Sequence, residues 1–116
     1  MDAANEGAKK SNGLTIGILP TSDKSSISKF VDLPIITSLG NARNSINVLS
    51  SDVVIACGVG TGTISEIALA LKSDKNVILL NDDKECQSLF KRLGKEKVYV
   101  AKNPEDAIKR IKSLVN

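Results

Sequence analysis

The sequence predicts an α/β fold of the Rossmann-like kind: an open, mainly parallel sheet of about five strands flanked by helices, with residues 1–116 as a single domain. Three observations predict it. Short β-rich runs alternate with helical segments of ten or so residues, the pattern that βαβ crossovers leave in a sequence. Two runs, "VVIAC" at 53–57 and "NVILL" at 76–80, are apolar over strand length and suit strands covered on both faces of a parallel sheet. The 116 residues, 41% hydrophobic and 25% charged, have globular composition at the length of one domain.

"MDAANEGAKKS" holds helix formers and stops at Asn12-Gly13, and "LTIGIL" follows as a strand. Residues 20–31, "PTSDKSSISKFV", carry a proline and four serines and read as an exposed loop. "DLPIITS" is a short strand that Pro34 assigns to an edge or a strand start. "NARNSINVLSS" is a short helix, and "VVIAC" follows Asp52. "GTISEIALALKS" is a helix expected to put Ile64, Ile67, Ala68 and Leu71 on its buried face. After "NVILL" come a helix, "DDKECQSLFKRLG", closed by Gly94, then the strand "KVYVA" and the helix "NPEDAIKRIKSLV". Asn103 caps that last helix and Pro104 takes its first position.

Composition removes several function classes. The net charge is +3 with basic residues spread along the chain, so neither a nucleic-acid nor a membrane partner is expected. Phe30, Phe90 and Tyr99 are the only aromatics, too few for a base-stacking platform. Two cysteines, the lack of a signal-peptide pattern and the lack of a membrane-length apolar run lead to the expectation of a cytoplasmic protein. There is no histidine, so catalysis would fall to carboxylate, Lys, Arg or hydroxyl groups, and no metal held by protein ligands is expected.

The chemistry concentrates at 57–66, between "VVIAC" and the helix after it. In open parallel sheets ligands bind outside the carboxyl ends of the strands. Gly58, Gly60 and Gly62 let backbone N–H groups approach a ligand, and the following helix turns its unpaired N–H groups and positive dipole end toward an anion. Glycine at a turn also serves the turn alone, but these three with Thr63 within six positions favour phosphate binding. A Walker loop is absent, because Gly62-Thr63-Ile64 lacks its lysine. A dinucleotide fingerprint is partly met by Gly58-x-Gly60, with Asp82 placed 24 positions after Gly58. Thr63 stands at its third glycine, so an NAD-binding oxidoreductase is the weaker alternative. Glu66 fits a first-turn acid or a capping box with Thr63 as well as a functional carboxylate.

"GTGTISE", taken with "GNARN" upstream, resembles the Rossmann-like superfamily of the LONELY GUY phosphoribohydrolases, often labelled lysine-decarboxylase-like, and the molybdenum cofactor carrier proteins. "GAKKSNGLTIGILP", "LGNARNSINVLSSDVVIACG" and "GTISEIALALK" are most similar to the carrier branch. The resemblance spans nearly the whole chain and implies a nucleotide or molybdopterin-type ligand cradled by Gly58, Gly60, Thr61, Gly62 and Thr63. The hydrolase loop, Pro-Gly-Gly-x-Gly-Thr-x-x-Glu after a His-Glu-Arg-Lys segment, is matched at Gly60, Gly62, Thr63 and Glu66, with Arg43 at the arginine's spacing and Asp52 also aligned. It is not matched at Gly58, Val59, Asn41, Ala42, Asn44 and Ile46, the last in the place of a second arginine.

The resemblance therefore implies binding of a phosphorylated nucleotide or nucleotide-containing cofactor. The alternative is a phosphoribohydrolase that cleaves the N-glycosidic bond of a nucleoside 5′-monophosphate. There Glu66 would orient the ribose and stabilise positive charge at the sugar, and Arg43 would pair with phosphate or with Glu66. It also implies a strand–helix–strand unit ahead of Met1, and a homo-oligomer, most simply a dimer, formed through the helix at 41–51 or at 62–72.

Overall fold

The computed structural model describes residues 1–115, which form two compact units, Met1–Ile46 and the segment from Asn47 onward. The first contains helix α1 (Asp2–Lys10) and strands β1 (Ile16–Leu19) and β2 (Leu33–Ile36). Helix α2 (Arg43–Leu49) follows a 3-10 turn at Gly40–Ala42. The second contains β3 (Val53–Cys57), α3 (Thr61–Lys72), β4 (Asn76–Leu80), α4 (Lys84–Gly94), β5 (Val98–Val100) and α5 (Pro104–Leu114). The α/β class, the five strands and their parallel pairing stand as expected. The strands form two parallel sheets, β1-β2 and β3-β4-β5, rather than one continuous sheet.

In the first unit β1 and β2 pair from Ile16 opposite Leu33 to Leu19 opposite Ile36. Pro34, which cannot donate to a ladder, sits opposite Gly17 in a sheet whose two strands are both edges. Helix α1 ends at Lys10, and the stop expected at Asn12-Gly13 is made by Asn12, which takes the left-handed conformation at φ 58°. Gly13 is needed for a different reason, since a Cβ there would lie 3.0 Å from the carbonyl oxygen of Ala8.

Asp32 ties this unit together. It accepts from Lys9 Nζ at 2.6 Å and from the Thr15 backbone N–H at 2.9 Å, and the Thr15 hydroxyl lies 2.9 Å from the same carboxylate. The Lys9 bond, then the Thr15 bonds, pull its pKa from 3.8 to about 2. A depressed carboxylate contributes stability that is fully present above its unfolded pKa of about 3.9 and lost as pH falls through the folded value. Thermal melts of the wild type should therefore drop between pH 4 and pH 2 by more than those of Asp32→Asn; parallel curves for the two proteins would contradict this.

In the second unit β4 lies between β3 and β5, and its alternation builds two cores. Val77 and Leu79 face one side with Val48, Ala56, Ile67, Ala70, Cys86, Phe90 and Val98. Ile78 faces the other, where Ala101 and Ala107 are buried with it and Ile111 packs against them. Val77, Ile78 and Leu79 are each 0% exposed, so β4 is the doubly covered strand that its apolar run predicts. β3 is not: of "VVIAC" only Ala56 is buried, and Ile55 and Cys57 are exposed. A strand at the edge of its sheet has a neighbour on one side only, which sequence cannot reveal.

The core face of α3 is also displaced from expectation. Ile67 and Ala70 are buried with Leu71 packed beside them, whereas Ile64 and Ala68 are exposed. The helix does use period 3.6, but its apolar residues encircle more than the one covered stripe. Asp83 caps α4 through the Cys86 N–H at 2.7 Å, and Asn103 caps α5 through the Asp106 N–H at 2.8 Å, the latter as the sequence predicts.

Candidate functional site

The glycine loop leaves the carboxyl end of β3 and enters α3. The Gly58 N–H donates to Leu80 O at 3.2 Å, which extends the β3–β4 ladder by one bond before the chain turns. Gly58 then adopts φ +78°, the left-handed region that disfavours any side chain. Gly60 is the residue before the helix, in extended geometry at φ −160°, and its carbonyl accepts the Ile64 N–H at 2.8 Å.

Neither a positive φ nor a close approach requires glycine at two of the three positions. Gly60 and Gly62 have ordinary φ angles, and a Cβ added at either would meet no atom within 4 Å. No side chain caps α3 either. Its first N–H groups lack intrahelical acceptors, as at any helix start. Open space over two glycines thus adjoins the positive end of α3, where unpaired N–H groups can donate to an anionic partner.

Glu66 is placed differently from either structural use open to it in sequence. Helix α3 begins at Thr61, so Glu66 lies beyond the first turn, which carries no acid. Thr63 is inside the helix, not its cap, so no capping box with Glu66 forms. The half-buried Glu66 instead accepts from Asn47 Nδ2 at 3.1 Å. Sequence reasoning missed Asn47; its one signal was a poor helix former placed inside a short helix. Asn81 was missed as well. It stands after β4, where its side-chain oxygen accepts the Asp83 N–H at 3.0 Å and its carbonyl accepts Gln87 Nε2 at 2.6 Å. Its amide also reaches toward Gly58 O at 3.5 Å.

Arg43 belongs to the first unit, where its guanidinium donates to Ile18 O and the residue is half-buried. It is therefore not a freely solvated helix residue. Asp82, the acid considered for a dinucleotide ribose, is exposed in the β4–α4 turn. Cys57 is exposed and Cys86 buried, both as free thiols; burial pushes the Cys86 thiol up, with Asp83 adding to the shift. Among the described residues no group of three His, Cys, Asp or Glu side chains is arranged to hold a metal ion, and no helix is long and apolar enough to cross a membrane.

Comparison with known proteins places these features in a family. The chain is 59% identical to the molybdenum cofactor binding protein from the phototrophic bacterium Rippkaea orientalis, with a TM-score of 0.96 over all of this chain and 71% of that one. It is 46% identical to the molybdenum cofactor carrier protein of Chlamydomonas reinhardtii, with a TM-score of 0.86 over 97% of this chain and 68% of that one. An uncharacterized protein of Archaeoglobus fulgidus is 50% identical over 80 residues, 69% of this chain and 52% of that protein. The matched part thus spans about half the length of that archaeal relative. Residues 1–108 match the model of the SLOG cluster4 family, and the chain belongs to that family.

Proposed function

We propose that this chain binds a phosphorylated cofactor of the molybdopterin type, in the manner of a carrier, with the ligand's phosphate seated on the loop of Gly58, Gly60, Thr61, Gly62 and Thr63. The observation that carries the reading is the open space over Gly60 and Gly62 at the uncapped start of α3. A phosphate there would take the free N–H groups of the first helical turn and the dipole end. The two solved relatives that bind or carry the molybdenum cofactor support the ligand class. Within this reading Glu66, steadied by Asn47, contacts the sugar-like or pterin part of the ligand.

Paired titrations test the proposal: AMP against adenosine, and a phosphorylated pterin against its dephosphorylated form. Hydrogen bonds to a charged group contribute about 1.5–3 kcal/mol each, so the phosphorylated member should bind at least about tenfold tighter. Equal affinities within both pairs would overturn it.

A second reading, hydrolysis of a nucleoside 5′-monophosphate, is favoured by one observation. Glu66 is a carboxylate without a helix-capping use, held by the side-chain amide of Asn47. The carrier reading expects no release of adenine from AMP above the uncatalysed level. Release that disappears in Glu66→Gln would establish the enzyme instead.

A further inference from the structure

Asn81 follows Leu80, the last residue of β4, whose carbonyl accepts the Gly58 N–H. The end of β4 and the start of the glycine loop therefore lie side by side. Asn81 is half-buried, and its surroundings dictate which way its amide points. The Asp83 N–H donates to Oδ1 at 3.0 Å; a backbone donor needs an acceptor, so Nδ2 is turned the other way. There it stands 3.5 Å from Gly58 O and 4.0 Å from Cys86 Sγ.

The side chain thus joins two turns at the carboxyl ends of neighbouring strands. Oδ1 serves the turn into α4, where Asp83 caps the helix through the Cys86 N–H at 2.7 Å and Gln87 Nε2 donates to the Asn81 carbonyl at 2.6 Å. Nδ2 serves the loop into α3. Gly58 is where that loop leaves the sheet, at φ +78° and with open space where a side chain would be. Sterics alone do not hold a glycine to one conformation. Its N–H is fixed on Leu80 O at 3.2 Å, and the Asn81 amide is the donor that meets its carbonyl. At 3.5 Å the bond is long and weak in itself, so its consequence is direction rather than stability.

We propose that Asn81 is a positioning residue for the glycine loop: its amide orients the Gly58 carbonyl and, through it, the direction in which the N–H groups of residues 60–63 are presented. The consequence for a ligand rests on the phosphate reading above; the consequence for the loop does not.

Two variants test it, each compared with the wild type by ¹⁵N amide spectra without ligand and then by paired titrations with AMP and adenosine. Asn81→Asp keeps an oxygen for the Asp83 N–H but turns a second oxygen toward the Gly58 carbonyl, acceptor against acceptor. Asn81→Ser keeps a turn-forming oxygen, adds no charge and is too short to serve both partners. Both should shift the Val59, Gly60 and Thr61 amides of the free protein while melting close to the wild type. Both should weaken AMP binding about tenfold, the worth of one charge-assisted hydrogen bond, and leave adenosine binding unchanged. A loss of AMP affinity confined to Asn81→Asp would be charge repulsion and would overturn the proposal. So would unmoved amides in both variants, or undiminished AMP affinity in Asn81→Ser where the wild type prefers AMP. A wild type that does not distinguish AMP from adenosine would sink the phosphate reading instead, and the amide spectra alone would then decide the role of Asn81.

Discussion

Gly94→Ala lowers the stability of the second unit by roughly 1–3 kcal/mol, the usual cost of forcing an extra methyl into a packed core. A Cβ at Gly94 would be driven into the Val98 side chain and would stand 2.8 Å from Leu71 Cδ2. Neither neighbour is a free surface group: Val98 is buried in β5, and Leu71 packs against the same core. Alanine favours a helix over glycine by about 1 kcal/mol at most, and only in a helix interior, so at the end of α4 overpacking dominates. Denaturant unfolding would measure the loss. The double variant Gly94→Ala with Val98→Ala should recover part of it, because the methyl that collides is gone. A single variant as stable as the wild type would show that Leu71 and Val98 relax freely.

The second large effect separates binding from stability. Gly62 is the second residue of α3, and a Cβ there meets open space, so Gly62→Ala should leave the melting temperature unchanged or raise it, by up to about 1 kcal/mol of stability. The same methyl stands where a phosphate would approach the backbone, and affinity for the phosphorylated ligand should fall about tenfold or more, about 1.4 kcal/mol. Gly58→Ala is the counterpart. Its space is open too, but its φ of +78° strains any side chain, so it should cost about 1–2 kcal/mol of stability. If Gly62→Ala bound the ligand as the wild type does, the glycine would serve only the turn.

Much of this fold was legible because backbone chemistry is local. Asn103-Pro104 marked a helix start that the structure confirms down to the capping bond, and the apolar run of β4 identified a strand covered on both faces. What failed to show depended on neighbours. "VVIAC" reads like "NVILL", yet β3 has a strand on one side only and leaves Ile55 and Cys57 exposed. Gly94 closes α4 as read, but the sequence did not show that the positive φ falls on Lys95 and that Gly94 is needed for the close approach of Leu71 and Val98. The glycine loop was legible as a strand-to-helix connection. The start of α3 at Thr61 was not, and that start removes Glu66 from the first turn and from a capping box. Asn47 was invisible because its bond to Glu66 joins residues 19 positions apart through the fold.

The central claim, that the backbone at the start of α3 holds a phosphate, is tested most directly by following the amide resonances of residues 60–63 while a phosphorylated ligand and its dephosphorylated form are titrated in parallel. The account predicts saturable movement of the Gly60, Thr61, Gly62 and Thr63 amides with the phosphorylated form, as expected where N–H groups gain an anionic acceptor, and little with the other. Identical movement with both forms, or binding that leaves these four amides in place, would contradict it.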